Sequence, residues 1–453
     1  MMSDHTDVLI IGAGVAGLAA AWRLSTTDLK ICLLEARDRI GGRIYTLHPP
    51  TLSTAIELGA EFIHGRPPEL FEIIGHMGLA VAETGGERWC ARNGNLAPCR
   101  EIERVELDLD QILSRAPGPD APDISFQQLL DSYFADERFA GARAAAIRYI
   151  EGYHAARADR LSVQALVHGE RASDLIDGHR SFRLPAGYDA IANYFRTAFN
   201  GSVDLRLNTI VKTIEWQAGQ VRVTAQNALD ATPQVFRARA AIITLPLGVL
   251  KAQPESPGAV RFIPEIPEKR AAMSKIEVGQ VIRVNLHFRH RWWTNLRSTD
   301  DGRWAARIDR MSFLFAREEK LPTWWTQYPA QTPVMIGWHG GRGAEILLAE
   351  DCPITDLAID SLAHAFNVER CLIEDQIEAI YRHDWHADPF ARGSYSYIGV
   401  GGLSALTELA RPVANTLFFA GEATNTEGHE ATVHGAVQTG LRAARDLLER
   451  LSN

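Results

Sequence analysis

The chain has 453 residues, 46% apolar and 23% charged. That is a globular composition suited to about two domains, and it excludes a fibrous or disordered protein. The formal net charge of −9 argues against a nucleic-acid-binding surface and is compatible with a cationic ligand. In chain order, Asp7–Ile11 (DVLII) reads as a buried strand, GAGVAGLAAAWRL as a turn into a helix, and Ile31–Ala36 (ICLLEA) as a second strand. Together they make a βαβ unit. From Pro67 to about Leu205 the pattern is mostly helical, with apolar residues three and four apart in FQQLLDSYF and RAAAIRYIEGYH. Ala116–Asp123 (APGPDAPD) predicts a surface loop.

Strands return at Val221–Ala225 and Ala240–Pro246. In Val281–Phe288, the alternation of Val281, Arg283, Asn285 and His287 with apolar neighbours predicts a sheet with one wetter face. Val334–His339 and Thr416–Glu422 follow as strands. A helix from about Gly435 carries Ala436, Val437, Gly440, Leu441, Ala444 and Leu448 on one stripe. The predicted class is α/β. A Rossmann-like dinucleotide domain (1–85, 200–258 and 385–453) is interleaved with an α+β substrate domain of mixed sheet and helices (86–199 and 259–384).

Cys32, Cys90, Cys99, Cys352 and Cys371 show no CxxC spacing, so reduced thiols and no metal site are expected. The start, MMSDHTD, lacks a basic signal region, no apolar run reaches about 20 residues, and LERLSN carries no SKL signal. The expectation is a cytoplasmic protein with no membrane partner.

Gly12, Gly14 and Gly17 form GxGxxG between strand and helix, and Glu35 ends the second strand. Gly12 permits the tight turn, Gly14 lets a pyrophosphate approach the backbone, and Gly17 allows close helix–strand packing. The helix N-terminus offers free N–H groups to the phosphates, and Glu35 offers a carboxylate to the ribose. Next, EARDRIGGRIYT (Glu35–Thr46) places Arg37, Gly41, Gly42 and Arg43 at a second glycine turn. This stretch resembles the fingerprint extension of the flavin amine oxidases, in which the position of Arg43 lies beside the diphosphate and flavin.

Five further stretches resemble that family: ELGAEFIHG (Glu57–Gly65), TLPLGVL (Thr244–Leu250), WHADPFARGSYSY (Trp385–Tyr397), LFFAGEAT (Leu417–Thr424) and ATVHGAVQTGLRAA (Ala431–Ala444). The chain is most similar to polyamine oxidases and the histone lysine demethylase catalytic core, with monoamine oxidases as further members. The resemblance implies FAD as cofactor. Its contacts would be Gly12, Gly14, Ala16, Gly17, Glu35, Ala36, Arg37, Gly42 and Arg43 near the fingerprint. Gly59, Ala60, Glu61, Phe62 and Val211 would follow, then Trp385, Gly421, Glu422, Thr432, Val433 and Ala436. Phe62, His64, Phe390, Tyr395 and Thr432 would face the substrate, and Arg283, Tyr395 and His64 would be catalytic.

Tyr395 matches an aromatic that flanks the reacting amine, where cation–π attraction is worth roughly 0.5–2 kcal/mol. Thr432 stands where monoamine oxidases have a second aromatic. Ser394 stands where they have the cysteine bonded to FAD, which implies non-covalent FAD. His64 would relay a proton or orient the amine, and Glu61 either attracts a distal ammonium or faces solvent. Arg283 replaces the family lysine that holds a water beside flavin N5. Arginine keeps the cation but is forked and never neutral.

The implied reaction is hydride transfer from the carbon beside a neutral amine to flavin N5, imine hydrolysis, and reduction of O2 to H2O2. An L-amino-acid oxidase is the alternative, although those enzymes place arginine where Phe62 stands. A flavoprotein whose FAD is structural, and whose task is partner binding, is a third reading. The oligomeric state is open.

Overall fold

The computed structural model describes residues 6–92, 95–99, 110–118, 120–199, 201–296 and 308–451. Val8–Ile11 (β1), Val15–Leu24 (α1) and Ile31–Leu34 (β2) form the predicted βαβ unit. Every residue of both strands is buried, as expected of parallel strands covered on two faces. The chain then makes a hairpin, Glu87–Arg92 (β3) and Asn95–Pro98 (β4), and two helices, Ala140–Tyr153 (α2) and Val163–Asp174 (α3). Val203–Arg206 (β5), Thr209–Gln217 (β6), Gln220–Asn227 (β7), Pro233–Ala238 (β8), Ala240–Ile243 (β9) and Arg261–Ile263 (β10) follow. Beyond them come Val281–Phe288 (β11), Met311–Ala316 (β12), Thr323–Thr326 (β13), Val334–Gly340 (β14) and Ile377–Tyr381 (β15). Leu417–Phe419 (β16) and Val433–Leu451 (α4) come last.

A parallel sheet runs in the order β5-β2-β1-β9-β16. Its side chains alternate between two cores. Val8, Ile10, Ile31, Leu33, Ile242 and Phe418 pack with α1 and α4. Leu9, Ile11, Cys32, Leu34, Ile243 and Phe419 pack against Val211, Ile214, Val223 and Phe262, from the four-stranded sheet β8-β7-β6-β10. This period of two is what places the end of β1, and the turn after it, between two covered layers. A third, seven-stranded sheet runs β15-β11-β14-β13-β12-β3-β4.

Several expectations are corrected. Helices make up most of the regular structure described in 67–205, as expected, but β3 and β4 interrupt them and extend the third sheet, with β3 parallel to β12. β3 is six residues long and carries Glu87, Arg88 and Arg92, so its strand character comes from distant pairing rather than local pattern. β11 has no wetter face, because all eight residues are buried. It lies between β14 and β15, where Asn285 and His287 are enclosed by packed protein and Arg283 is buried. Cys90 and Cys99 are not reduced thiols but are joined across the hairpin, with Cα atoms 5.2 Å apart. A hairpin brings together residues whose sequence separation resembles no motif. The strand expected at Thr416–Glu422 is confined to Leu417–Phe419, since Gly421 turns the chain at φ +124°.

Candidate active site

Gly12 leaves β1 at φ +107°, a conformation that disfavours any side chain. Gly14 precedes the first turn of α1 without a capping side chain, and a Cβ built there meets nothing within 4 Å. The first N–H groups of α1 therefore face open space, the arrangement that receives a phosphate. Gly17 is forced by packing, since its Cβ would lie 2.0 Å from the Gly12 carbonyl oxygen. At the end of β2, Glu35 accepts hydrogen bonds from the N–H groups of Ala13 (2.7 Å) and Arg37 (3.0 Å). Burial pushes its carboxyl above the usual range. A dinucleotide fits this cradle. Gly14 leaves room for the diphosphate, and the Glu35 oxygens retain lone pairs for ribose hydroxyls.

From the cradle, one cavity of about 1260 Å³ runs inward. Every residue predicted for cofactor, substrate or catalysis borders it except Gly17, which lies behind the turn. Val211 of β6 and Ala36 stand on the cradle side, as does Phe390, whose ring lies under the Arg37 guanidinium at 5.4 Å. Arg37 is paired in turn with Asp388 at 2.8 Å.

Midway, the loop 57–65 is clamped. A Cβ on Gly59 would fall 1.9 Å from the Arg43 carbonyl oxygen, and Trp385 Nε1 donates to the Leu58 carbonyl at 2.8 Å. Arg43 donates to the Ser394 carbonyl and, at 2.9 Å, to Glu422 Oε1. The other Glu422 oxygen accepts from Ser396 Oγ (2.6 Å) and the Ala431 N–H (3.1 Å). Glu422 is thus a buried tie between three segments rather than a surface acid. Gly421, Val433 and Ala436 complete this side at the start of α4.

At the inner end, the Tyr395 hydroxyl donates to the Tyr153 carbonyl at 2.8 Å. The Tyr153 hydroxyl and Ser181 Oγ lie 3.1 and 3.2 Å from His64 Nδ1. The Phe62 ring lies 6.1 Å from the His64 ring, tilted by 40°. Burial holds His64 and His154 down to about 4 and His434 to about 3, so all three imidazoles are neutral at pH 7.

Glu61 is neither solvated nor open to a ligand cation. Arg283 Nη2 donates to it at 2.6 Å, Trp325 Nε1 at 3.0 Å, and Arg183 Nε lies 2.8 Å from its second oxygen. Burial alone would raise this carboxyl, but the two guanidiniums outweigh it and hold it below the usual range. Arg283 also donates to the Gly59 carbonyl at 3.2 Å, tying β11 to the clamped loop beside Ala60. Thr432 borders the cavity, but its hydroxyl accepts the Gly435 N–H at 2.9 Å and caps α4. Ser394 Oγ donates back to the Gly279 carbonyl at 2.9 Å.

Sequence reasoning missed Tyr153, His154, Trp325, Trp338, Arg183, Glu170 and Glu430. All but Arg183 border the cavity. Tyr149 and Tyr153, four apart on α2, stack at 5.3 Å and were the legible hint of an aromatic wall.

With this geometry established, likeness to known proteins is informative. Residues 15–448 match the family described as flavin containing amine oxidoreductase. The chain is 29% identical to polyamine oxidase 3 of Oryza sativa subsp. japonica, over 99% of this chain and 90% of that protein. It is 28% identical to polyamine oxidase 2 of Arabidopsis thaliana, over 100% and 90%. Its fold is that of a putrescine oxidase solved as the wild type bound to putrescine, with a TM-score of 0.77 and 22% identity over 98% of this chain and 99% of that one. The cradle, the cavity beyond it and the match over nearly the whole length establish that this chain belongs to the flavin-containing amine oxidoreductase family, an FAD-dependent enzyme that oxidises amines.

Proposed function

We propose that the substrate is a diamine or polyamine, one nitrogen of which reacts at the inner end of the cavity between Tyr395 and His64. The observation that carries this reading is the single cavity joining the Gly14 cradle to an aromatic, imidazole-lined chamber. The polyamine oxidases and the putrescine oxidase resembled by this chain favour the same substrate class. FAD, when bound, supplies the two-electron acceptor for the C–H bond beside nitrogen and the route by which electrons reach O2 as H2O2.

The protein's own groups do the rest. Tyr395 is held by its bond to the Tyr153 carbonyl, so its ring is preoriented to flank the amine at little entropic cost. His64 is neutral and its ring is held at Nδ1 by two hydroxyls, which places it to orient the reacting amine rather than to keep the amine's proton. The chamber encloses the oxidised carbon until water hydrolyses the imine to a carbonyl compound and a smaller amine. Arg283 keeps a cation on the chamber wall in the role of the family lysine, with its charge shared by Glu61. Ser394 has no sulfur to bond FAD, so acid denaturation releases free flavin; flavin retained on the precipitate refutes non-covalent binding. Segments 1–85, 200–258 and 385–453 make up the cofactor-binding part, and 86–199 with 259–384 the substrate part.

The test is anaerobic bleaching of the bound flavin by a panel of diamines, polyamines, monoamines and amino acids. Bleaching by diamines or polyamines at the lowest concentration is expected; indifference to all amines refutes the reading. A second reading, an L-amino-acid oxidase, is favoured by two guanidiniums, Arg183 and Arg283, sharing one carboxylate beside the chamber. It weakens because both Arg283 Nη groups are committed to Glu61, Gly59 and Asn285. Bleaching by an α-amino acid but not by its decarboxylated amine reverses the order.

A further inference from the structure

Glu430 borders the cavity two residues before the α4 cap, in a segment under strain: Ala431 holds φ +63° while its N–H is bound to Glu422. A non-glycine residue in that region is strained and persists where the surroundings enforce it. Glu430 Oε2 is shut off from solvent and has no hydrogen-bond partner among the described residues. The neighbouring acid, Glu422, has its charge met by Arg43, whereas no ion pair involves Glu430 among the described residues. Across from it stands α3. A methyl on Gly169 would lie 3.9 Å from Glu430 Oε1, and the next residue, Glu170, also borders the cavity. Burial, then Asp174 and Asp110, raise the Glu170 carboxyl, with no cation offsetting them. Burial, with Glu422 nearby, lifts Glu430 to about 7. The carboxyl accepts from its own backbone N–H, but Oε2 has no donor and no countercharge meets it among the described residues. That is costly unless something arrives to supply one.

We propose that Glu430, seconded by Glu170 on α3, holds the non-reacting ammonium group of a diamine or polyamine substrate. The nitrogen that reacts has to be neutral to give up hydride from its carbon, so a carboxylate on the cavity wall serves the nitrogen that stays charged. Binding meets the charge of Glu430: the ammonium approaches its carboxyl from the cavity, and the carboxyl ionises beside it. This assignment rests on the diamine or polyamine reading, and the experiment separates the two.

Wild type, Glu430→Gln and Glu430→Asp, each checked for full flavin content, are assayed with 1,4-diaminobutane and with butylamine, which lacks the second ammonium. Glu430→Gln is expected to raise KM for the diamine at least about tenfold with kcat little changed, to leave butylamine unaffected, and to be partly rescued by aspartate. Equal losses on both amines, or none on the diamine, overturn the assignment. Should Glu430→Gln lose its flavin, Glu170→Gln carries the same comparison, with a smaller diamine-selective rise in KM expected. A wild type bleached by neither amine nor by longer polyamines defeats the substrate reading itself.

Discussion

At the Gly14 end of the cavity the wall is backbone, and at the Tyr395 end it is side chains with chemistry to spare. Around Gly12 and Gly17 the residue types follow from sterics, Gly14 leaves its space open, and the contact offered to a ligand is a row of N–H groups. Around Tyr395, His64 and Glu61 sterics permit many residues; protonation and pairing make the place what it is. The difference shows in two glutamates four residues apart. Glu57 hydrogen-bonds Thr46 Oγ1 and the Tyr188 N–H, and burial lifts it to about 8. Glu61 is just as buried but ionised, because two arginines reach it. Burial sets the cost, and the partners decide the charge.

That contrast can be broken most forcefully at the inner end. Glu61→Gln leaves Arg183 and Arg283 buried without their carboxylate and should cost roughly 3–5 kcal/mol of stability; a denaturation midpoint equal to wild type would show that water or another group screens them. At the cradle, Gly17→Ala forces a methyl against the Gly12 carbonyl. Such overpacking costs typically about 1–3 kcal/mol, so flavin per protein should fall about tenfold or more; full occupancy would mean that the turn yields.

Proton linkage sharpens the contrast further. His64, with a folded value of about 4 against an ordinary 6.5, takes up its proton more readily when unfolded. Stability is therefore lost as pH falls from 6.5 towards 4. Glu57 behaves oppositely: its raised value means stability declines as pH rises from 4.5 through about 8. His64→Asn should flatten the acid limb of a melting-temperature profile by roughly 1–2 kcal/mol, since the cavity beside it admits water, and Glu57→Gln the other limb by roughly 1–2 kcal/mol. Unchanged slopes would refute those protonation states. The smallest effect is at Thr432. Loss of its cap in Thr432→Ala should cost about 1 kcal/mol, and Thr432→Ser should restore it. A serine variant as unstable as alanine would give the methyl, not the hydroxyl, the structural role.

The cradle was readable because its requirements are local: GxGxxG, Glu35 and the strands around them lie within thirty residues of each other in sequence, and β1, α1 and β2 form where the pattern predicts. β11, β14 and α4 were legible for the same reason. The chamber was readable only in part. Its residues come from the loop 57–65, α2, α3, β11, β13, β14 and the α4 cap, and nothing in IEGYHAA or SVQALVHGE announces that Tyr153 and Glu170 meet Tyr395 in one space. Arg183 was invisible because its partner, Glu61, is more than a hundred positions away. The β3–β4 hairpin was missed because short strands draw their order from pairing rather than from pattern.

The order β5-β2-β1-β9-β16 carries a consequence for biosynthesis. β1 lies beside β9, some 230 positions downstream, and β16 and α4 join only after more than 400 residues have been made. A chain still growing on the ribosome has its glycine turn early but no finished place for the nucleotide. Loop closure over such separations is slow, and the uncovered flanks of β1 and α1 remain adhesive meanwhile. Supply of flavin during translation should therefore improve yield less than supply after release, when the final helix has closed over α1.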